Sequence, residues 1–362
     1  MTWSCKAIDH GLTFFPDGKI GPCCQIAAGY LKPIDLATHR DRFRDLKTEF
    51  PPLACEKCVK NEYEGIPSYR DFFNAHQISS DDGIVFLDIR NTNQCNLKCR
   101  YCGPHFSNQW GHELGRDNPL IHSDLSEVLD KILTDDLQVI YFTGGEPMIS
   151  ADHWNILTRL IKIGASKKIK LMYNTNLTSL KYKSVDFLET WKNFAGVIIS
   201  ASLDAVGDVF NNIRSGADWR LVEKNLDALL PQKKSNITIT VTCVISILNI
   251  WSLPESIRYW KSKNLSIQFI ILEGPDYLAL DVIPDNHKQH ALTIIDECSV
   301  LLDDPSFEKA RRLINNNQNQ VLFRQCLSHI LLLDSLRNEN LFALLPFKDS
   351  AKQLIANNNE YR

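Results

Sequence analysis

Arg90-Asn91-Thr92-Asn93-Gln94-Cys95-Asn96-Leu97-Lys98-Cys99-Arg100-Tyr101-Cys102 places three thiols at C-x3-C-x2-C spacing, directly after an apolar run at 84–89. Thiols this close can wrap one small metal centre from a single loop. They satisfy three irons of a [4Fe–4S] cube and leave the fourth iron open to a ligand, whereas a fully ligated cube serves electron transfer. The competing reading is zinc, but structural zinc sites use paired C-x2–4-C knuckles with four ligands. His105 is the one further donor nearby, at a spacing those knuckles do not use.

About forty residues further on, at the end of the next apolar run, stands Tyr141-Phe142-Thr143-Gly144-Gly145-Glu146-Pro147. Paired glycines at a strand end let backbone approach a neighbour closely, and Glu146 can accept from an ammonium group.

Further along, short apolar runs at 84–89, 138–142, 170–173, 196–201, 237–244 and 267–272 alternate with amphipathic stretches at 124–133, 151–163, 182–194, 220–230 and 253–263. That alternation predicts βα units on a parallel sheet. Six strands fit either an open doubly wound sheet or an incomplete barrel, and periodicity does not choose. From 285 the pattern turns helical, at 285–302 and 306–336, with the Asn-rich segment at 315–319 breaking the second stretch.

Residues 1–80 have a different texture. Phe15-Pro16-Asp17-Gly18 is a strong turn signal, and with Lys19-Ile20-Gly21-Pro22 it predicts a hairpin presenting Cys23 and Cys24. A short helix is expected at 39–46, before Pro51-Pro52. Eight of the eleven cysteines lie within the first 102 residues. Clustered thiols in a chain of 362 residues point to metal binding rather than to a small disulfide scaffold. Cys243, Cys298 and Cys326 read as buried small hydrophobes.

The net charge of −3 gives no support to nucleic-acid or membrane-surface binding, and 44% apolar with 23% charged residues is an ordinary globular mixture. No apolar run is long enough to span a membrane. The start, MTWSCKAIDHG, lacks the pattern of a signal peptide, so a cytoplasmic location is expected.

Taken together, the two motifs resemble the radical S-adenosylmethionine (SAM) enzymes over residues 83 to about 275. The resemblance implies an α/β fold with a partial (β/α)6 TIM-like barrel, a loop-rich N-terminal module at 1–80, the barrel at 81–280 and a helical C-terminal region at 281–362. It implies Cys95, Cys99 and Cys102 as ligands of a [4Fe–4S] cluster whose open iron chelates SAM. Tyr101 would contact the adenine side, and Gly144, Gly145 and Glu146 would hold the methionine amine. Ser202 and Arg214 resemble residues that bind the methionine moiety, and Asn174 and Asn176 resemble polar residues near the ribose. Helix capping by Ser202 and Asp204, and a surface charge at Arg214, are the plainer readings. The family often has Asp-Gly where this chain has Asp204-Ala205, so a different local turn is expected.

The spacing Cys5-x12-Gly18-x4-Cys23 resembles the opening of the auxiliary-cluster modules called SPASM and twitch. Cys55-x2-Cys58-x3-Glu62-x2-Gly65-x2-Ser68-x-Arg70 looks like the radical enzymes with an N-terminal twitch module. Cys5, Cys23, Cys55 and Cys58 would then fully ligate an auxiliary [4Fe–4S] cluster, with Cys24 as the alternative to Cys23 and a four-cysteine zinc ribbon as the alternative to iron–sulfur.

The expected activity is reductive cleavage of SAM to methionine and a 5′-deoxyadenosyl radical, which takes hydrogen from a substrate, the auxiliary cluster assisting electron transfer. A flavodoxin- or ferredoxin-type reductant is the expected partner. A small metabolite is favoured as substrate, through oxidation or epimerisation, because the module begins too near residue 1 to leave room for a leader-binding winged helix. Maturation of a ribosomally made peptide is the alternative within the class. A non-catalytic iron–sulfur or zinc protein is the alternative outside it.

Overall fold

The computed structural model describes residues 3–36, 43–48, 50–75, 83–234, 236–316 and 319–347. The chain divides into two compact units, one of Met1–Asn96, Pro104–Ser200 and Asn225–Ile239, the other of Leu97–Gly103, Ala201–Lys224 and Thr240–Arg362.

In the first unit the expected hairpin forms. β1 (Gly11–Phe14) and β2 (Lys19–Gly21) pair antiparallel across the Pro16-Asp17-Gly18 turn, and β3 (Lys32–Pro33) continues beside β2. β1 also pairs in parallel with β4 (Phe86–Ile89), which pairs with β5 (Val139–Phe142), which pairs with β6 (Lys170–Thr175). The N-terminal segment therefore shares one sheet with the strands that carry the motifs.

Side chains alternate across these strands. Leu87, Ile140, Leu171, Phe142 and Tyr173 are fully buried, and so are Ile156, Leu157 and Leu160 of the helix Ala151–Lys162. His153 of that helix lies edge-on to Phe142 at 4.5 Å and shares a 2.9 Å hydrogen bond with the Tyr173 hydroxyl. Phe86 and Val139 instead pack with Ala7 and with Phe73 of the helix Tyr69–Ala75.

After β6 a small hairpin forms from β7 (Lys181–Tyr182) and β8 (Val185–Asp186), where a helix was expected from 182. Lys183 takes a left-handed φ of 52°, and Asp186 accepts from the Leu188 amide, so the helix starts late, at Phe187–Trp191. The expected helix at 124–133 also shrinks, to Leu129–Ile132. Asp124 accepts from the Ser126 amide in a local turn that competes with helix.

β9 (Gly196–Ser202) and β10 (Ile237–Ile245) begin in the first unit and finish in the second, where β11 (Ser266–Ile271) pairs in parallel with β10. The six main strands run in the order β4-β5-β6-β9-β10-β11 with no reversal. A doubly wound sheet reverses its order at a switch point. The monotonic order is that of a partial TIM-like (β/α)6 fold, which settles the choice left open by periodicity.

Helices Leu253–Ser262, Asp285–Leu301, Pro305–Ile314 and Gln320–Arg337 complete the second unit. Cys243, Cys298 and Cys326 are fully buried there, as expected. Of the short helix expected at 39–46, residues 39–42 lie outside the described residues, and Arg44–Leu46 form a 3-10 turn. No helix among the described residues is long and apolar enough to cross a membrane.

Candidate cluster sites

The cysteine loop leaves the end of β4 and is fastened by asparagines. Asn93 is fully buried; its amide group donates to the carbonyls of Pro104 (2.8 Å) and Pro119 (2.9 Å) and its oxygen accepts from the Ile121 amide at 2.7 Å. Asn91 donates to the Ser123 carbonyl and to Asp152. The Cys95 amide donates to Asn108 Oδ1 at 2.9 Å, at the start of the helix Asn108–Glu113.

Gly144 and Gly145 press directly on this loop. The Gly145 amide donates to the Thr92 carbonyl (3.0 Å) and the Glu146 amide to the Gln94 carbonyl (2.7 Å). A Cβ at Gly145 would stand 2.0 Å from Gln94 O, and Gly144 has a φ of +100°. Glu146 is buried, and its carboxylate accepts from the Thr175 hydroxyl (2.7 Å), the Asn176 amide (2.8 Å) and the Met148 amide (3.1 Å). Asn176 in turn donates to Asn96 Oδ1 at 3.0 Å, so its side chain braces the cysteine loop. Asn174 is half-buried near the end of β6.

In the second unit, Cys99 and Cys102 share their surroundings with Tyr101, Asp204 and Arg214. The Cys102 thiol beside Cys99 lowers the latter's pKa, burial opposes this, and the Arg214 guanidinium adds to the lowering. A thiol biased towards thiolate is the form that ligates metal. Arg214 Nη1 lies 3.9 Å from Cys99 Sγ, its Nε lies 2.8 Å from the Asp204 carboxylate, and its guanidinium stands 5.8 Å from the Tyr101 ring centre. Arg214 is thus buried and not a surface charge. Asp204 accepts from the Tyr101 hydroxyl (2.5 Å) and the Val244 amide (3.0 Å). It caps no helix: the next one, Gly207–Ile213, has Val206 at its N-cap without a side-chain bond. Ser202 is half-buried at the end of β9. Ala205 is fully buried, and the positive φ of this turn falls on Gly207 instead.

The N-terminal thiols gather in the first unit. Cys5, Cys23, Cys55 and Cys58 line one cavity together with Trp3, Tyr69 and Arg70. They ring it; among the described residues no three such side chains converge on a single ion position. Burial raises all four thiols; proximity to one another raises Cys5 and Cys55 further, and Cys23 is raised further by Cys24 and then by Cys5 and Cys58. The downstream words of the motif form the brace. Glu62 accepts from Ser68 Oγ (2.6 Å) and Arg70 Nε (2.9 Å), Gly65 takes a φ of +72°, and the Arg70 guanidinium stacks 4.0 Å over Trp3.

Cys24 faces elsewhere. Burial pushes its thiol up to about 11, and its charged neighbours are Arg90 and Asp88. Asp88 is buried on β4 and pairs with Arg90 at 2.8 Å, with Tyr141 opposite it on β5. Burial raises the pKa of Asp88, Tyr141 and Tyr69. Sequence reasoning missed this polar group, although a carboxylate inside the apolar run Phe86-Leu87-Asp88-Ile89 is itself a visible anomaly.

Both sites suit iron–sulfur clusters by donor chemistry, since soft thiolates are the ligands such clusters take. The Radical SAM superfamily model matches residues 89–259, from the last residue of β4 through both motifs. The chain carries a radical SAM domain. Molybdenum cofactor biosynthesis protein 1 of Dictyostelium discoideum is 31% identical over 204 residues, covering 55% of this chain and 29% of that protein. GTP 3′,8-cyclase of Clostridium botulinum is 27% identical over 190 residues, covering 52% of this chain and 56% of that enzyme. The chain therefore matches about half or less of the length of these relatives. Among solved structures, native anSMEcpe with bound AdoMet superposes with a TM-score of 0.43 at 20% identity, covering 69% of this chain and 66% of that one. The radical SAM domain implies SAM and one [4Fe–4S] cluster as cofactors.

Proposed function

We propose that the protein is a radical SAM enzyme whose barrel cluster is held by Cys95, Cys99 and Cys102 and whose auxiliary [4Fe–4S] cluster is held by Cys5, Cys23, Cys55 and Cys58. The observation that carries the reading is the contact between the two motifs: the Gly145 and Glu146 amides bind the backbone of Thr92 and Gln94, inside the cysteine loop. When bound, the cluster and SAM supply a 5′-deoxyadenosyl radical by reductive cleavage, with electrons from a flavodoxin- or ferredoxin-type protein.

In this reading the chain's own residues position and shield. Gly144 and Gly145 let the strand end lie against the loop, and Glu146 ties it to Thr175 and Asn176. Arg214 sets positive charge beside Cys99, where a SAM carboxylate would be held, and Tyr101 lies next to it for the adenine. Ser202 and Asn174 offer the remaining polar contacts. The polar group of Cys24, Asp88, Arg90 and Tyr141, in the same unit as the N-terminal thiols, is the one we assign to substrate. Its mixed charge and hydrogen-bonding groups suit a small polar metabolite. The relatives named as GTP 3′,8-cyclases, which by name act on a nucleotide, support a small-molecule substrate over a peptide. Cys5, Cys23, Cys55 and Cys58 would saturate all four irons of the auxiliary cluster, which would supply electron transfer and leave substrate binding to the polar group.

Anaerobic reconstitution tests this directly: about eight irons per chain are expected, and about four after Cys95, Cys99 and Cys102 are replaced by Ala. Dithionite with SAM should yield 5′-deoxyadenosine from the wild type and none from the triple variant. Loss of all iron in the triple variant, or cleavage that survives in it, would overturn the assignment.

A further inference from the structure

The cysteine loop passes through the second unit as Leu97–Gly103, and there its amides are held by residues 213–215 and its carbonyls by the C-terminal helical region. The Lys98 amide donates to the Ser215 carbonyl (2.8 Å) and the Arg100 amide to that of Ile213 (2.9 Å). The Lys98 carbonyl accepts from Arg337 Nη1 at 2.8 Å, and the Arg100 carbonyl lies 3.1 Å from His329 Nε2. Lys98 and Arg100 are thus each held at both amide and carbonyl.

The side chain between the two cysteines is engaged more fully still. Arg100 has no exposed surface. Its Nε donates to the Asn212 carbonyl (2.6 Å), its Nη1 to the Ile330 carbonyl (3.3 Å), and its Nη2 to Asp334 and to Glu339 (2.7 Å). Glu339 also accepts from Ser215 Oγ at 2.8 Å, and Asp334 accepts from the amides of Leu341 (3.1 Å) and Phe342 (2.9 Å). The side chains that engage the Lys98 and Arg100 carbonyls and the Arg100 guanidinium, those of His329, Asp334, Arg337 and Glu339, belong to the helix Gln320–Arg337 and the turn after it.

A buried ion-pair network adds little net stability over apolar packing of the same volume, but it tolerates only one arrangement of its members. Arginine strengthens that selectivity, because its planar fork must meet each acceptor in a fixed direction. An apolar residue at position 100 would fill the space as well and leave the loop free to shift.

We propose that Arg100, Asp334 and Glu339 are positioning residues that set Cys99 and Cys102 in place before any cluster arrives, making the C-terminal helical region a clamp on the cluster loop. The proposal rests on reading these cysteines as cluster ligands. Its first test needs no cluster. In the cluster-free protein, hydrogen exchange of the peptide spanning 97–103 should quicken at least ten-fold in the Asp334→Asn/Glu339→Gln double variant, while peptides from β4, β5 and β6 exchange as in the wild type. After reconstitution, the double variant should retain about four irons where the wild type holds about eight, and the paramagnetic resonance signal that responds to SAM should be lost or shifted.

Arg337→Met, which releases the Lys98 carbonyl and Ser215 Oγ but leaves Arg100, Asp334 and Glu339 in place, should loosen the loop by a smaller factor and leave the overall fold intact. Wild-type exchange of the 97–103 peptide in both variants would overturn the clamp. So would faster exchange accompanied by an unaltered signal and full iron. If the wild type itself lost no iron when its three loop cysteines were replaced, the cluster assignment would fail while the exchange result still decided whether the clamp exists.

Discussion

Cys23 and Cys24 are consecutive residues whose thiols sit in different company. Cys23 lines the cavity with Cys5, Cys55 and Cys58, whereas Cys24 faces Asp88 and Arg90. The sequence left open which of the two would ligate the proposed auxiliary cluster, and this geometry favours Cys23. Cys23→Ser should therefore cost about four irons per reconstituted chain, and Cys24→Ser should cost none. Iron analysis alone distinguishes them. Equal losses would mean that the two thiols exchange roles when a cluster forms.

Gly145 predicts a sharper effect than its size suggests. An Ala there would put its Cβ 2.0 Å from Gln94 O, and both partners are backbone, so neither can swing aside. Gly145→Ala should keep the N-terminal iron, about four per chain, and lose the barrel cluster with cleavage of SAM. Full iron and normal yields of 5′-deoxyadenosine in this variant would show that the loop can move away at no cost.

Arg214 is predicted to matter twice. Its removal leaves Asp204 buried without its cation, which costs about 3–5 kcal/mol in comparable buried pairs. Denaturant unfolding of Arg214→Ala should show that loss, and the Arg214→Ala/Asp204→Asn double variant should recover part of it. For SAM, losing a charge-assisted hydrogen bond of about 1.5–3 kcal/mol weakens binding roughly ten- to a hundred-fold. Calorimetry on the folded variant measures this, and unchanged affinity would confine Arg214 to its pairing with Asp204.

The pH dependence of stability should carry a mark of His153. Burial lowers its pKa to about 3, and the Tyr173 hydroxyl, which accepts from Trp191 Nε1 at 3.1 Å, lies 2.9 Å from its Nε2. In the unfolded chain a histidine titrates near 6.5, so between about 6.5 and 3 the unfolded state binds the extra proton. Its contribution is therefore constant above that window, and stability falls as pH drops through it. From pH 7.5 to pH 5 the loss attributable to this side chain is about 2 kcal/mol. His153→Gln should remove that part of the slope in denaturant titrations at the two pH values. An identical slope in the variant would place the acid sensitivity elsewhere.

Much of the fold was legible because burial leaves a periodic trace. All six apolar runs became strands within a few residues of their expected limits, and the Asn-rich segment separated Pro305–Ile314 from Gln320–Arg337 as its composition implied. The two overestimated helices, at 124–133 and 182–194, failed where a single side chain, Asp124 or Asp186, captured a backbone amide and redirected the chain. Such local competition has no period. The motif cysteines and Gly144–Glu146 were legible because their spacing is chemical and local. Arg100 was not: its partners lie more than a hundred residues away, and nothing in their spacing announces the pairing. Asn93 was passed over for a related reason, since a fully buried asparagine looks in sequence like any loop polar residue.

The parallel pairing of β1 with β4 bears on how this protein can be cut down. An edge strand exposes a row of unpaired peptide groups that recruits other chains. Residues 11–14 cover that row along 86–89, so a shortened version begun at residue 83 would keep the cysteine loop and both glycines yet present a bare strand ending beside them. Such a fragment should aggregate during expression, and attempts to study the barrel in isolation would do better to retain the hairpin, or to replace it with a charged cap, than to start at the apparent domain border.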